Sequence, residues 1–172
     1  MKNLLIGLFI IGLTSLSYSQ NLYSEVEKGA LEDNTRSSIN INYLTKVQNV
    51  KTSVNVKLFE DIVSRHDITT SLKFDSRVKP FKVKFIISNG SIIATYDQNG
   101  KILTSLEKFK NVDLPLHILK SISKEYPNAS ILSNTYLVSY KSNNDIIKRY
   151  TVKIKKDNVK KNLRIDSEGR IK

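Results

Sequence analysis

The sequence predicts an α+β protein built from two tandem units, each with one helix packed on an antiparallel β-sheet of three to four strands. A repeated segment carries this prediction: residues 96–102 are YDQNGKI and residues 165–171 are IDSEGRI. Each copy closes a stretch of alternating apolar and polar residues, which is typical of strands, and each follows one amphipathic helical pattern. Short loops between successive strands favour antiparallel pairing, and a helix over each sheet would bury its apolar face.

The first unit is predicted over residues 39–110. Residues 39–44 alternate briefly, which predicts a short strand, and residues 56–66 have apolar side chains at helical spacing, which predicts a helix capped by Asn55 or Ser53. Strands are then predicted at 68–74, 81–87 and 91–96. The pair Asn89-Gly90 predicts a hairpin turn with positive φ at both positions.

The second unit is predicted over residues 111–172. Asp113 and Pro115 are helix-start signals, and Pro127 ends the helix. Its predicted apolar face consists of Leu116, Leu119, Ile122 and Tyr126. Three strands follow by alternation, around residues 136–140, 150–154 and 159–165, with a turn at Asp157-Asn158.

The N-terminus has the pattern of a secretory signal peptide over residues 1–19. Lys2 is followed by an apolar run over 4–13, and Ser17 and Ser19 supply small residues for cleavage near Ser19. The run is about half of the ~20 residues that a spanning helix needs. The expected location is therefore periplasmic or secreted, with no transmembrane segment. Residues 20–38 mix polar and charged residues without a period and predict a flexible leader.

Composition limits the classes of function. The chain has no cysteine, which excludes disulfides, a thiolate metal site and a cysteine nucleophile. Its 28 Lys and Arg against 16 Asp and Glu give a formal net charge of +12, which favours anionic partners. For an exported protein these are an acidic protein or an anionic envelope polymer rather than nucleic acid.

The sequence resembles the exported PepSY-like proteins whose fold is related to β-lactamase inhibitor protein. The resemblance covers about residue 43 to the end and is carried by segments at turns and helix boundaries: 91–97, 100–102, 107–112, 114–115 and 124–127. It implies a β-lactamase-inhibitor-like tandem of helix-plus-sheet units with one broad sheet face, which grips an enzyme in the inhibitor. The chain has no cysteine or tryptophan, and no inhibitory residue is carried over.

No motif predicts a catalytic residue, a cofactor or a metal site. His66 and His117 fall in different predicted helices, and neither has further ligands at metal-binding spacing. The turn at 97–100 lacks the first and last ligands of a calcium loop.

Alternation does predict a set of cations that point away from the core, and these are the candidate partner-binding residues: Lys82, Lys84, Arg149, Lys153, Lys155, Lys160 and Arg164. They could instead be an ordinary solvated surface. The predicted function is an exported non-enzymatic protein-binding module, with inhibition or modulation of another exported protein as one form of that role. The alternative is an envelope-associated structural protein that binds anionic polymers through its basic surface.

Overall fold

The computed structural model describes residues 23–27, 38–72, 74–75, 77 and 80–172. The predicted signal peptide and most of the predicted leader lie outside these residues. Among the described residues, no helix combines the length and apolar character that crossing a membrane requires.

A single sheet of seven strands runs through the described chain, and its spatial order is the sequence order. The strands are β1 Tyr23–Glu27, β2 Phe81–Ile87, β3 Gly90–Tyr96, β4 Ile102–Lys110, β5 Ser130–Lys141, β6 Ile147–Lys156 and β7 Val159–Asp166. Neighbours from β2 to β7 pair antiparallel, whereas β1, within the predicted leader, pairs parallel to β2.

The prediction of two tandem helix-on-sheet units is wrong, because β4 and β5 pair directly. Their ladder extends from Thr104 opposite Lys141 to Lys110 opposite Thr135. Separate sheets would leave the backbone donors and acceptors along one edge of each of these two long strands unpaired, and pairing β4 with β5 satisfies them. The result is one antiparallel six-stranded sheet, extended by β1, rather than a sheet for each unit.

Three helices cover one face of this sheet: α1 Ile41–Val47, α2 Val54–Arg65 and α3 Leu116–Glu125. They share one apolar core with the inward rows of the strands. The predicted strand at 39–44 is wrong, since α1 begins there and buries Tyr43 and Val47 at helical spacing. The predicted strand at 68–74 is also wrong, because Asp67 caps a 3-10 turn over Ile68–Thr70.

The predicted apolar face of α3 needs correction. Ile118 and Ile122 are buried, whereas Leu116 is 65% exposed. The β2–β3 hairpin also differs, since Ile87 pairs with Gly90 and the turn is therefore Ser88-Asn89. At the β6–β7 hairpin, Asp157 and Asn158 both have positive φ, as a two-residue type I′ turn requires.

An aromatic row crosses the centre of the core. Phe109, Tyr136 and Tyr150 are cross-strand partners on β4, β5 and β6. The Tyr136 and Tyr150 rings stack with centroids 4.7 Å apart. Gly90 pairs with Phe109 at the β3 end of the row, and a Cβ there would overlap the Phe109 ring. The absence of a side chain at Gly90 therefore makes room for the ring.

The repeated segment forms the same turn twice. Asp97 Oδ1 accepts the N–H groups of Asn99 and Lys101 at 2.8 and 2.9 Å, and Asp166 Oδ1 accepts those of Glu168 and Arg170, both at 3.0 Å. In each turn the glycine has positive φ, 72° at Gly100 and 87° at Gly169. A turn at residues 97–100 was expected from this Asp and Gly spacing.

The two outer edges of the sheet differ. At one side β1 pairs parallel to β2 and is the edge strand. At the other side, Ile171 bridges to Ile165, and the Lys172 N–H donates to the Arg164 carbonyl at 2.8 Å. The rest of the β7 edge carries the exposed Lys160 and Lys161.

Candidate functional site: the open face of the sheet

The sheet face opposite the helices, called here the open face, carries every cation predicted from alternation. Five of them lie together on β6 and β7 and form the β6–β7 cation group: Arg149, Lys153, Lys155, Lys160 and Arg164. Lys155 pairs directly with Lys160, and Thr151 pairs with Arg164. Lys82 and Lys84 share this face, but β2 is four strand spacings from β6, or about 19 Å. The structure therefore brings five of the cations together and leaves two apart.

Three more lysines lie on the open face and were missed from the sequence. Lys108 and Lys110 project from β4, and Lys141 from the end of β5. Residues 102–110 were not predicted to be a strand, so the alternation of Glu107 and Phe109 with these lysines was not used. Among the described strands β2–β7, the only acidic residue on this face is Asp166, which is paired with Arg170 Nε at 2.7 Å, while Glu25 and Glu27 on β1 are in register with Lys84 and Ile86. The part of the face from β4 to β7 is therefore strongly cationic.

Apolar side chains occupy the middle of the open face. Leu106 is 60% exposed and Ile147 is 56% exposed. Ile93 pairs with Leu106, while Leu137 lies diagonally between Leu106 and Ile147 in the strand register. Ser139 is the direct partner of both Leu106 and Ile147, and diagonal neighbours are about 7–8 Å apart, so the four apolar side chains form one group around Ser139. This apolar centre, formed by Ile93, Leu106, Leu137 and Ile147, was also missed from the sequence.

The helix-covered face contains two buried carboxyl groups. Glu60 on α2 is 0% exposed and Glu107 on β4 is 2% exposed. Glu107 Oε1 accepts hydrogen bonds from Tyr43 Oη at 2.9 Å and from Ser105 Oγ at 2.7 Å. In the described part of the chain, neither carboxyl oxygen of Glu60 has a hydrogen-bond partner, nor has Glu107 Oε2. Two ionised carboxylates in such a place would be strongly destabilising.

The surroundings of these carboxyl groups favour their protonated forms. Burial, together with the charge of Glu107, raises the pKa of Glu60 to about 9. Burial also raises the pKa of Glu107, against the lowering effect of the Ser105 and Tyr43 hydrogen bonds. Burial lowers the pKa of Lys148, which lies on the same side of the sheet, while the charges of Glu60 and Glu107 oppose this shift. At neutral pH this cluster is consistent with a role in joining α1 and α2 to the sheet.

Glu60 was also missed from the sequence, although a signal was present. Val56, Phe59, Glu60 and Val63 follow helical spacing, so Glu60 lies within the buried stripe of α2. A glutamate at a buried helix position indicates that its carboxyl group is protonated or that it has a buried charged or hydrogen-bonding partner.

The two histidines have structural contacts. The His66 ring packs edge-on against Phe85 with centroids 5.1 Å apart, and burial lowers the pKa of His66. His117 Nε2 lies 2.9 Å from the Ser167 carbonyl, which joins α3 to the second repeated turn. Among the described residues, no group of three or more His, Asp or Glu side chains could hold a metal ion.

Comparison with known proteins found no matching family model, no matching curated protein and no matching solved structure. The resemblance to PepSY-like proteins stays a prediction. The functional argument therefore depends on the open face itself.

Proposed function

We propose that this chain is an exported, non-enzymatic protein-binding module whose open face docks an acidic protein. The observation that carries the proposal is the apolar centre within a cationic surround. Protein interfaces typically combine a buried apolar core with a polar rim. Isolated exposed apolar residues are ordinary, but a contiguous apolar group on a sheet face is a typical interaction site.

The apolar centre favours a protein over a linear anionic polymer. A polymer would be held by the cations alone and would leave Leu106 and Ile147 in water. A packed protein surface would bury both, and each full burial contributes about 1.5–3 kcal/mol. The cations then add attraction during encounter and selectivity for an acidic surface. Export is part of the proposal and rests on the signal-peptide pattern at residues 1–19.

The experiment compares two leucines of similar exposure on opposite sides of the molecule. Leu106, 60% exposed, is in the apolar centre, and Leu116, 65% exposed, is on α3. The mature chain and its Leu106→Ser and Leu116→Ser variants are immobilised and exposed to an extract of the source cell envelope. They are then washed at low and at high salt.

The proposal expects one protein that the parent chain and Leu116→Ser retain at high salt and that Leu106→Ser loses. If that protein is an enzyme, its activity with and without the mature chain tests the inhibitor role. Equal retention by both variants would contradict docking through the open face. Acidic material that all three release with salt would instead support the anionic-polymer alternative.

A further inference from the structure

A cavity of about 320 Å³ opens on the open face beside the β2–β3 hairpin. Three lysines line it, Lys84 from β2 and Lys108 and Lys110 from β4. This hairpin cavity lies away from the β6–β7 cation group, and only Lys84 of its lysines was among the predicted site residues.

Strand register brings these residues together. Ser91 on β3 pairs with Ile86 on one side and with Lys108 on the other, which places a hydroxyl side chain beside Lys108 and an apolar side chain beyond it. The Lys110 N–H donates to the Asn89 carbonyl at 2.7 Å and ties the hairpin turn to the end of β4. The turn therefore forms one wall of the cavity, and the lysines border an indented surface rather than a flat one.

The residues that line the cavity carry charge of one sign, while Glu25 and Glu27 on the neighbouring β1 are in register with Lys84 and Ile86. Among the described residues that line it, none is acidic. Glu107, the acidic residue nearest along β4, faces the helices and bonds to Tyr43. Lys108 and Lys110 are both exposed, so their ammonium groups can rotate toward a ligand at little cost. Neighbouring like charges repel, and an anion between them relieves that repulsion.

We propose that the hairpin cavity binds a carboxylate group, supplied by an Asp or Glu side chain of the acidic partner. The inference rests on the proposed function and adds an anchor point to it. Lys108 pairs with Leu137, so a carboxylate held here lies at the margin of the apolar centre. The ammonium groups of Lys108 and Lys110 and the Ser91 hydroxyl are suitable donors, and one charged anchor beside an apolar contact would fix the orientation of the partner.

The test uses blocked tri-glutamate as the probe and follows the backbone amide signals of residues 88–91 by NMR at about 150 mM NaCl, where exposed charges are screened beyond about 8 Å. Two charge-matched variants are compared, Lys108→Gln/Lys110→Gln at the cavity and Lys153→Gln/Lys155→Gln at the far end of the same face. Inorganic phosphate is titrated in parallel.

The proposal expects saturable shifts at residues 88–91, about tenfold weaker binding in the cavity variant and little change in the distant variant. Equal weakening in both variants, or shifts spread over all lysines of the face, would overturn it as bulk attraction. Saturation by phosphate but not by tri-glutamate would also overturn the carboxylate assignment.

A Leu106→Ser variant separates the two proposals, because it should leave tri-glutamate binding unchanged while losing the protein partner. A failed titration would overturn the anchor and leave the leucine comparison of the proposed function intact.

Discussion

Tyr43 Oη donates a 2.9 Å hydrogen bond to Glu107 Oε1 across the centre of the core. Tyr43 belongs to α1 and Glu107 to β4, so this contact joins a helix that the sequence did not predict to a strand that it did not predict. Ser105 Oγ donates to the same oxygen at 2.7 Å. Burial raises the pKa of Tyr43 well above its ordinary value, so the hydroxyl remains a donor across the accessible pH range.

Replacing Tyr43 by Phe should lower the free energy of unfolding by about 1–3 kcal/mol, because a buried carboxyl oxygen loses one of its two donors. Equilibrium unfolding in guanidinium chloride measures the change. Tyr126→Phe is the control, since its hydroxyl accepts from Lys161 at the surface, and it should have a much smaller effect. Equal losses in the two variants would contradict a structural role for the Tyr43–Glu107 bond.

Glu60→Gln should make the protein more stable at neutral and mildly alkaline pH. The pKa of Glu60 rises from 4.5 to about 9 on folding, so between these values the folded chain keeps a proton that the unfolded chain has lost. Stability therefore falls as pH rises through this window, by up to about 1.4 kcal/mol per pH unit for one group. The glutamine variant removes that slope.

Unfolding free energies at several pH values from 5 to 9 check this prediction. Glu125→Gln, at an exposed position on α3, is the matched control and should keep the slope of the parent chain. The same slope in Glu60→Gln as in the parent would contradict a protonated Glu60 in the folded state.

Gly90→Ala should destabilise the protein by about 1–3 kcal/mol, because the added methyl group overlaps the Phe109 ring in a close-packed core. Thermal unfolding followed by circular dichroism measures the loss. Ser91→Ala changes the adjacent residue on the opposite face and should be nearly neutral. In a Phe109→Leu background, the further cost of Gly90→Ala should shrink, and an undiminished cost would contradict steric overlap as its cause.

Asp97→Ala and Asp166→Ala should have similar costs, about 1 kcal/mol each, because each removes an acceptor for two backbone N–H groups in the same kind of turn. Asp145→Ala, in the exposed β5–β6 loop, is the control. Chemical denaturation compares the three variants. A loss of unfolding free energy in only one of the two aspartate variants would show that the two turns, although alike in geometry, do not contribute equally to stability.

Local sequence patterns predicted the helices, strands and turns whose formation depends on neighbouring residues in the sequence. Alternation located β2 and β3, helical spacing located α2 and α3, and the Asp and Gly positions located both repeated turns. Residues 39–44 are ambiguous on this basis, since they alternate as a strand does while Tyr43 and Val47 have helical spacing. Tertiary burial of those two side chains decided the outcome in favour of a helix.

The pairing of β4 with β5 could not be predicted in the same way, because α3 separates them in the sequence and no turn sets their register. The apolar centre depends on that pairing, and both the apolar centre and the hairpin cavity depend on β4. Only the cations on strands with clear alternation were therefore found from the sequence, and Leu106, Lys108 and Lys110 were not.

The two edges of the sheet and its open face allow different kinds of association. Many sheets recruit partners by β-augmentation, in which an extended peptide adds to a free edge and is recognised largely through its backbone. Here the C-terminal bridge with Lys160 and Lys161 obstructs the β7 edge, whereas β1 is the edge strand on the other side. A partner that docks on the broad surface meets side chains instead of an amide ladder, so its own side-chain chemistry, rather than strand-forming tendency, would decide whether it binds.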